Sequence, residues 1–182
     1  MFFKKANWLN QNLWISLSFY VGWWGIVHLA HRPALFFPLI LVLSFLNLKW
    51  SPLYVRQPLW MVIAFLLGTF QDGLLQFLGW VDFAHNPWSE WHLPPPWIAA
   101  LWILFPSAFA AFDFFKNRLF LQIVLGGVGG MASYMSGYKL GLLEFKAPLW
   151  ESAGLYFLVW AFLFPLLMKI HKEICRPKIQ TV

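Results

Sequence analysis

The sequence predicts an all-α fold, a polytopic transmembrane helix bundle of six spans that forms a single domain over residues 1–182. Hydrophobic residues make up 60% of the chain and charged residues only 11%. A soluble domain of this length needs far more charge to cover its surface, so lipid is the expected solvent. The apolar residues also fall into six runs, each long enough to cross about 30 Å of hydrocarbon. These runs are 13–30, 34–50, 58–80, 96–115, 119–139 and 149–168.

The distribution of Lys and Arg predicts the orientation of the bundle. If the N-terminus is cytoplasmic, only Arg32, Lys139 and Lys146 among the 13 basic residues fall on the outer side. This positive-inside bias predicts that both termini lie in the cytoplasm. The first run is longer than the apolar region of a signal peptide, so we expect it to be retained as an anchor.

The net charge of +6 raises the question of which partners the chain binds. The basic residues lie at the ends of apolar runs rather than in one patch, which argues against a nucleic acid partner. Membrane lipids are the expected partners, and a membrane-protein partner or a homo-oligomer is the further alternative.

The third run, Pro58 to Trp80, carries a carboxyl group near its middle. A charge at that depth costs about 2.5–3.5 kcal/mol, so its face of the helix is expected to contact protein or water. At about 100° per residue, the stripe that contains Asp72 also contains Phe65, Thr69, Gln76 and Gly79.

Two interpretations of Asp72 follow from this position. As a functional group it would carry a proton, act as a general acid or base, or anchor a cationic group of a substrate. As a structural group it would be hydrogen-bonded to neighbouring helices. Gln71 lies on a different face and is expected to tie two helices together.

Histidines gather at the predicted outer side: His28, His31, His85 and His92. Imidazole nitrogens and nearby carboxylates could form a metal site, but no HxxxH or HExxH spacing occurs. We therefore predict neither a metal nor a cofactor. His28 lies deepest and shares a face with Ser18 and Gly22, so it is the better candidate for pairing with a carboxylate.

The fifth run is rich in small residues. Gly126 and Gly130 form a GxxxG pair, and Gly129 and Ser133 continue the spacing. Small residues at this spacing let membrane helices approach closely, so a packing seam is the expected role. The alternative is that a substrate lies against the bare glycine backbone, with hydroxyl groups offered by Ser133, Tyr134 and Tyr138.

Several prolines occur in the fourth run and in the connection before it. Between Pro87 and Pro94, the spacing of Trp88 and Trp91 predicts a short helical turn at the membrane interface. Pro106 lies inside the fourth run, where it is expected to free a backbone carbonyl and kink the helix.

Three motifs taken in order resemble a known family. They are Gln71-Asp72-Gly73-Leu74-Leu75, then Pro95-Pro96-Trp97-Ile98 leading to Leu101-Trp102, and Gly126-Gly127-Val128-Gly129-Gly130 running to Ser133-Tyr134, Gly137 and Gly141. In these motifs the chain resembles the integral-membrane family DUF2878, a domain of unknown function, over about residues 13–169. The resemblance implies a bacterial inner-membrane protein without a settled activity.

The candidate site is a cavity in the outer half of the bilayer, with the third and fifth helices inside the bundle. The side chains expected to line it are Asp72, Gln76, His28, Ser133 and Tyr134. The hypothesis is a multi-pass protein that binds or moves a lipid-like or amphipathic small molecule. The alternatives are a membrane-embedded enzyme acting on a lipid or isoprenoid, and a non-catalytic subunit of a membrane complex. No catalytic or nucleotide-binding motif decides among them.

Overall fold

The computed structural model describes residues 2–51 and 57–175, with the backbone alone for residues 2–10. The described chain is mostly helical, as predicted. Its α-helices are α1 (Phe2–Leu29), α2 (Pro33–Trp50), α3 (Gln57–Phe77), α4 (Pro96–Ser107), α5 (Leu119–Lys139) and α6 (Leu149–Ile174). Two 3-10 helices, Ser89–Trp91 and Phe109–Phe115, and two strands, β1 (Val81–Phe83) and β2 (Leu143–Phe145), complete the described structure.

Each predicted apolar run corresponds to helical structure, and by length and composition the described residues contain four candidate membrane spans, or five with one bent pair. Helices α2, α3, α5 and α6 are long and apolar enough to cross a membrane. Helix α4 and the 3-10 helix Phe109–Phe115 form a fifth candidate that is bent by 56°. Helix α1 is not among these candidates. Six spans and the orientation of the termini stay predictions.

The bend after α4 has a local cause at Pro106. Proline has no backbone N–H to bond the carbonyl one turn earlier, so the helical ladder is interrupted there. The carbonyl of Pro106 itself accepts a hydrogen bond from Trp60 Nε1 at 3.1 Å. Ser107 Oγ donates to the Leu104 carbonyl at 2.6 Å. The kink predicted from the sequence is therefore confirmed.

A chain of polar side chains holds α1, α2 and α4 together near this bend. Ser18 Oγ donates to Asn47 Oδ1 at 2.5 Å, and Asn47 Nδ2 donates to Ser107 Oγ at 3.1 Å. Asn47 and Ser107 are buried. Such hydrogen bonds between membrane helices average about 0.6 kcal/mol and reach about 1.7 kcal/mol.

The centre of the bundle is α4, which differs from the expectation that the third and fifth helices lie inside. Seven of the 12 residues of α4 are buried, against seven of 21 in α3 and six of 21 in α5. Before Ser107 the side chains of α4 are apolar or tryptophan on every face, so each face can be buried. Helix α4 contacts α1, α2 and α3, whereas α5 packs chiefly along α6.

Two short strands join the ends of α3 and α5, a feature that the all-α prediction did not contain. Strands β1 and β2 are antiparallel, with Val81 opposite Phe145 and Asp82 opposite Glu144. We call this end of the bundle the strand end. The acidic pair would repel, but Lys146 Nζ lies 2.5 Å from Asp82 Oδ2 and 3.7 Å from Glu144 Oε2. The hydrogen bond to Asp82 raises the pKa of Lys146 above its ordinary value.

The connection between β1 and α4 contains the short helical turn that the tryptophan spacing predicts. It is the 3-10 helix Ser89–Trp91. Trp97 at the start of α4 donates to the Ala84 carbonyl at 2.9 Å, which fixes the connection against the strand end.

Candidate functional site

Asp72 lies in the last third of α3 and is fully buried. Its carboxyl group accepts hydrogen bonds from the Tyr134 hydroxyl on α5, from Trp102 Nε1 on α4 at 2.7 Å, and from Gln71 Nε2 at 3.3 Å. In the part of the chain that the structure describes, no Lys, Arg or His is bonded to it. Neutral donors on three helices thus shelter the group, which confirms that this face of α3 is turned toward protein.

A pair of stacked indole rings orients one of these donors, Trp102 Nε1, toward Asp72. The rings of Trp102 and Trp160 are 5.7 Å apart and inclined by only 7°. Each ring lies directly over a glycine: a Cβ added at Gly68 would come within 1.9 Å of Trp102, and one at Gly130 within 1.9 Å of Trp160. The two glycines therefore create the space in which the rings stack, and the stack holds Trp102 Nε1 against Asp72.

A second aromatic pair lies beside the first. The rings of Tyr134 and Tyr156 are 3.9 Å apart and nearly parallel, and Tyr156 is fully buried. Neither the Tyr156 hydroxyl nor Trp160 Nε1 has a hydrogen-bond partner among the described residues. Buried donors are rarely left unpaired. Trp160 lines the cavity described next, so its N–H group is available to a bound molecule, whereas Tyr156 does not line it. We call Asp72, Trp102, Tyr134, Tyr156 and Trp160 the Asp72 cluster.

A cavity of about 700 Å³ reaches the Asp72 cluster. Most of its walls come from α1, α4 and α5, with Trp160 and Phe164 of α6 completing them, and they consist mainly of aromatic, aliphatic and glycine residues. On the α5 side it extends from Leu125 to Lys139, about 21 Å of helix at 1.5 Å per residue. Trp23 Nε1 donates to Ser133 Oγ at 3.2 Å and so connects α1 to α5 across the cavity. Its volume is typical of a site for a small molecule.

The cavity opens sideways between α1 and α5. The residues that line it and are also exposed include Tyr20 and Trp24 on α1 and Leu125, Gly129 and Ala132 on α5. The opening therefore lies on the side of the bundle, between the two helices.

The family of the chain follows from a match that takes in nearly all of it. Residues 12–166 match the family model DUF2878, described as a protein of unknown function. The chain belongs to the DUF2878 family. Neither a curated protein nor a solved structure matches it. The function of this member of DUF2878 is therefore inferred from the geometry of the site.

The structure brings three of the five predicted site residues of this DUF2878 protein together. Asp72, Ser133 and Tyr134 line the cavity. Gln76 is buried but does not line the cavity. It accepts a hydrogen bond from Asn86 Nδ2 at 3.2 Å, which connects α3 to the segment between β1 and α4. Ligand binding by these residues stays a prediction.

The structure does not bring His28 to the cavity. Its side chain is exposed at the strand end of α1, where Nδ1 lies 2.9 Å from the Trp24 carbonyl. The rings of His31 and His85 are 5.9 Å apart. Among the described residues no three metal-ligating side chains come together.

The glycine-rich helix has the first of the two roles considered for it, the packing seam, while the second, contact with a substrate, stays a prediction. A Cβ added at Gly126 would come within 2.5 Å of Phe164, and one at Gly127 within 2.7 Å of Phe157, so these glycines form the expected packing seam with α6. Gly129 has open space around it and lines the cavity. Gln71, expected to tie two helices together, instead donates to the neighbouring Asp72.

The two tryptophans of the Asp72 cluster were not among the predicted site residues. In membrane proteins tryptophan is enriched near the two interfaces. Trp102 and Trp160 instead lie in the middle of the fourth and sixth apolar runs, several residues from either end. This departure from the aromatic belt is the signal by which they could have been found.

Proposed function

We propose that the protein is a multi-pass membrane protein that binds a lipid-like or otherwise amphipathic small molecule in the cavity between α1 and α5. We place it in the cell inner membrane with six spans, one for each apolar run, and the distribution of Lys and Arg supports the placement of both termini in the cytoplasm. The observation that carries the proposal is a cavity of about 700 Å³ that opens sideways and ends at a buried carboxyl group.

The apolar part of the molecule would lie along α5. Gly129 presents no side chain to the cavity, and Trp23 and Phe105 offer flat apolar surfaces opposite. Small-molecule sites are mainly apolar and bury most of the ligand surface, with a few polar groups that fix its orientation. The sideways opening suits a molecule whose chain stays in the hydrocarbon while its head group reaches the interior of the bundle.

The polar part of the molecule would meet the Asp72 cluster. Asp72 accepts hydrogen bonds and has no cationic partner among the described residues, so a head group that donates a hydrogen bond or carries a positive charge suits it. The unpaired Trp160 Nε1 is a donor that suits an oxygen of the same head group. A hydroxyl or amide group would satisfy both requirements.

The proposal is tested with two matched substitutions. Gly129 and Gly154 are both exposed helical glycines with open space around them, but only Gly129 lines the cavity. After purification in a mild detergent, mass spectrometry of the extracted small molecules should detect a lipid-like compound bound to the wild type. We expect Gly129→Leu to lower its occupancy several-fold, because the new side chain fills the cavity, and Gly154→Leu to leave it unchanged.

Two outcomes would count against binding in the cavity. The first is equal retention of the compound by both variants. The second is the absence of any bound small molecule together with a stoichiometric second membrane protein, which would make the opening between α1 and α5 a contact surface for that partner.

A further inference from the structure

A second pocket lies at the end of the bundle opposite the strand end. It has a volume of about 330 Å³ and shares no lining residue with the cavity at Asp72. It is formed where α5 begins and α6 ends. The lining residues that matter below are Lys116, Leu119, Gln122, Leu166, Lys169 and Lys172. Ligand binding in the larger cavity makes no use of it.

The charged side chains that line this pocket are all basic. Three lysines line it and no acidic residue does. Asp113 is close enough to Lys116 to offset part of its charge. Lys172 Nζ has a weak contact of 3.4 Å with Asn117 Oδ1, and the amide of Gln122 donates to the Phe115 carbonyl. The pocket therefore keeps a net positive charge that suits an anion.

The other walls of the pocket are apolar and partly exposed. Leu119 is 62% exposed and Leu166 is 46% exposed. In a bilayer these two leucines would contact acyl chains, next to the three lysines of the pocket. Leu119 is also the first residue of α5, and in the described structure no side chain caps this terminus. Its free backbone N–H groups add positive potential on the same side. A single molecule with a phosphate above and hydrocarbon below matches both parts of the pocket.

We propose that this pocket binds the phosphate of an anionic phospholipid, held by Lys116, Lys169 and Lys172, with the acyl chains against Leu119 and Leu166. Basic pockets between membrane helices recognise anionic head groups, and lysine binds phosphate as a point charge. The site differs from the cavity at Asp72 in position and in ligand, so it does not depend on the function proposed above.

Native mass spectrometry of the purified protein tests the proposal, with phosphatidylglycerol and phosphatidylcholine added at equal concentrations. We expect phosphatidylglycerol to be retained in preference. Lys169→Gln and Lys172→Gln should each weaken its binding about fivefold, the effect of removing one cation near an anionic surface. Lys49→Gln is the matched control, since Lys49 is an exposed lysine in the last turn of α2 and lies outside the pocket.

Three results would overturn the proposal. Equal retention of the two lipids would remove the preference for an anion. An equal loss in Lys49→Gln would show that total charge, rather than this pocket, determines binding. Displacement of phosphatidylglycerol by inorganic phosphate would assign the pocket to a free anion. Substitutions of exposed lysines change the stability by less than about 0.5 kcal/mol, so all three variants should fold.

Discussion

The carboxyl group of Asp72 joins three helices through its hydrogen bonds. It lies on α3, and its partners Trp102 and Tyr134 lie on α4 and α5. Each partner also belongs to an aromatic stack with α6, through Trp160 and Tyr156. A change at this one side chain therefore affects four helices at once, and the effect on stability depends on whether the two donors keep an acceptor.

We predict that Asp72→Leu destabilises the protein far more than Asp72→Asn. Leucine leaves the Tyr134 hydroxyl and Trp102 Nε1 buried without an acceptor, at about 1–3 kcal/mol for each group. Asparagine keeps one carbonyl oxygen for Trp102 and an amide that can donate to the tyrosine oxygen. The free energy of unfolding in mixed detergent measures the difference. Equal stabilities of the two variants would show that the donors do not depend on this acceptor.

At the residue scale, the sequence was sufficient to select Asp72 and to place Tyr134 in the same cavity, but not to select Trp102 as the second partner. The cost of a charge inside an apolar run required that Asp72 be sheltered, and its burial confirms this. Which side chains shelter it depends on how α4 and α5 are rotated, and this is decided by packing. The rotation of α1, which packing also decides, leaves His28 outside the cavity.

At the scale of helices, the glycines of α3 and α5 control how closely their neighbours approach. Gly68 leaves space for the ring of Trp102, and Gly130 leaves space for the ring of Trp160. The two glycines together therefore determine where this stacked pair lies. Lipid provides no hydrophobic drive for helix association, and close packing at small residues takes its place.

We predict that Gly68→Ala and Gly130→Ala each destabilise the protein by about 1–3 kcal/mol, because the added methyl group displaces a packed indole ring. Gly129→Ala is the control on the same helix. Nothing lies within 4 Å of its Cβ position, and alanine favours a helix over glycine by about 1 kcal/mol. Unfolding in mixed detergent should separate the first two variants from the third. A stable Gly130→Ala protein with an unchanged tryptophan spectrum would contradict the stacked arrangement.

At the scale of the whole molecule, the short connections between helices make sequence neighbours antiparallel. Helix α5 forms its main contacts with α6, whereas α1 packs on α2 and α4. The space left between α1 and α5 is bridged by Trp23 and Ser133 and forms the sideways opening of the cavity. The opening is thus a consequence of the packing order of the whole bundle.

We predict that Trp91 faces the outside of the cell and that Asn117 faces the cytoplasm, as the positive-inside bias requires. Both side chains are exposed. In a Cys175→Ser background, a thiol reagent that cannot cross membranes should label Trp91→Cys in intact cells. Asn117→Cys should react only after the membrane is opened. Labelling of Asn117→Cys alone in intact cells would reverse the orientation.

The sequence by itself determined the helices and their class, because runs of apolar residues and the prolines between them are local properties. It also determined the kink at Pro106, which follows from a missing N–H, and the small-residue seam at Gly126. Only the tertiary structure decided that α4 lies at the centre, that two strands pair, and that the cavity opens between α1 and α5. These features depend on contacts between residues far apart in the chain, and many rotations of apolar helices satisfy the same hydrophobic pattern.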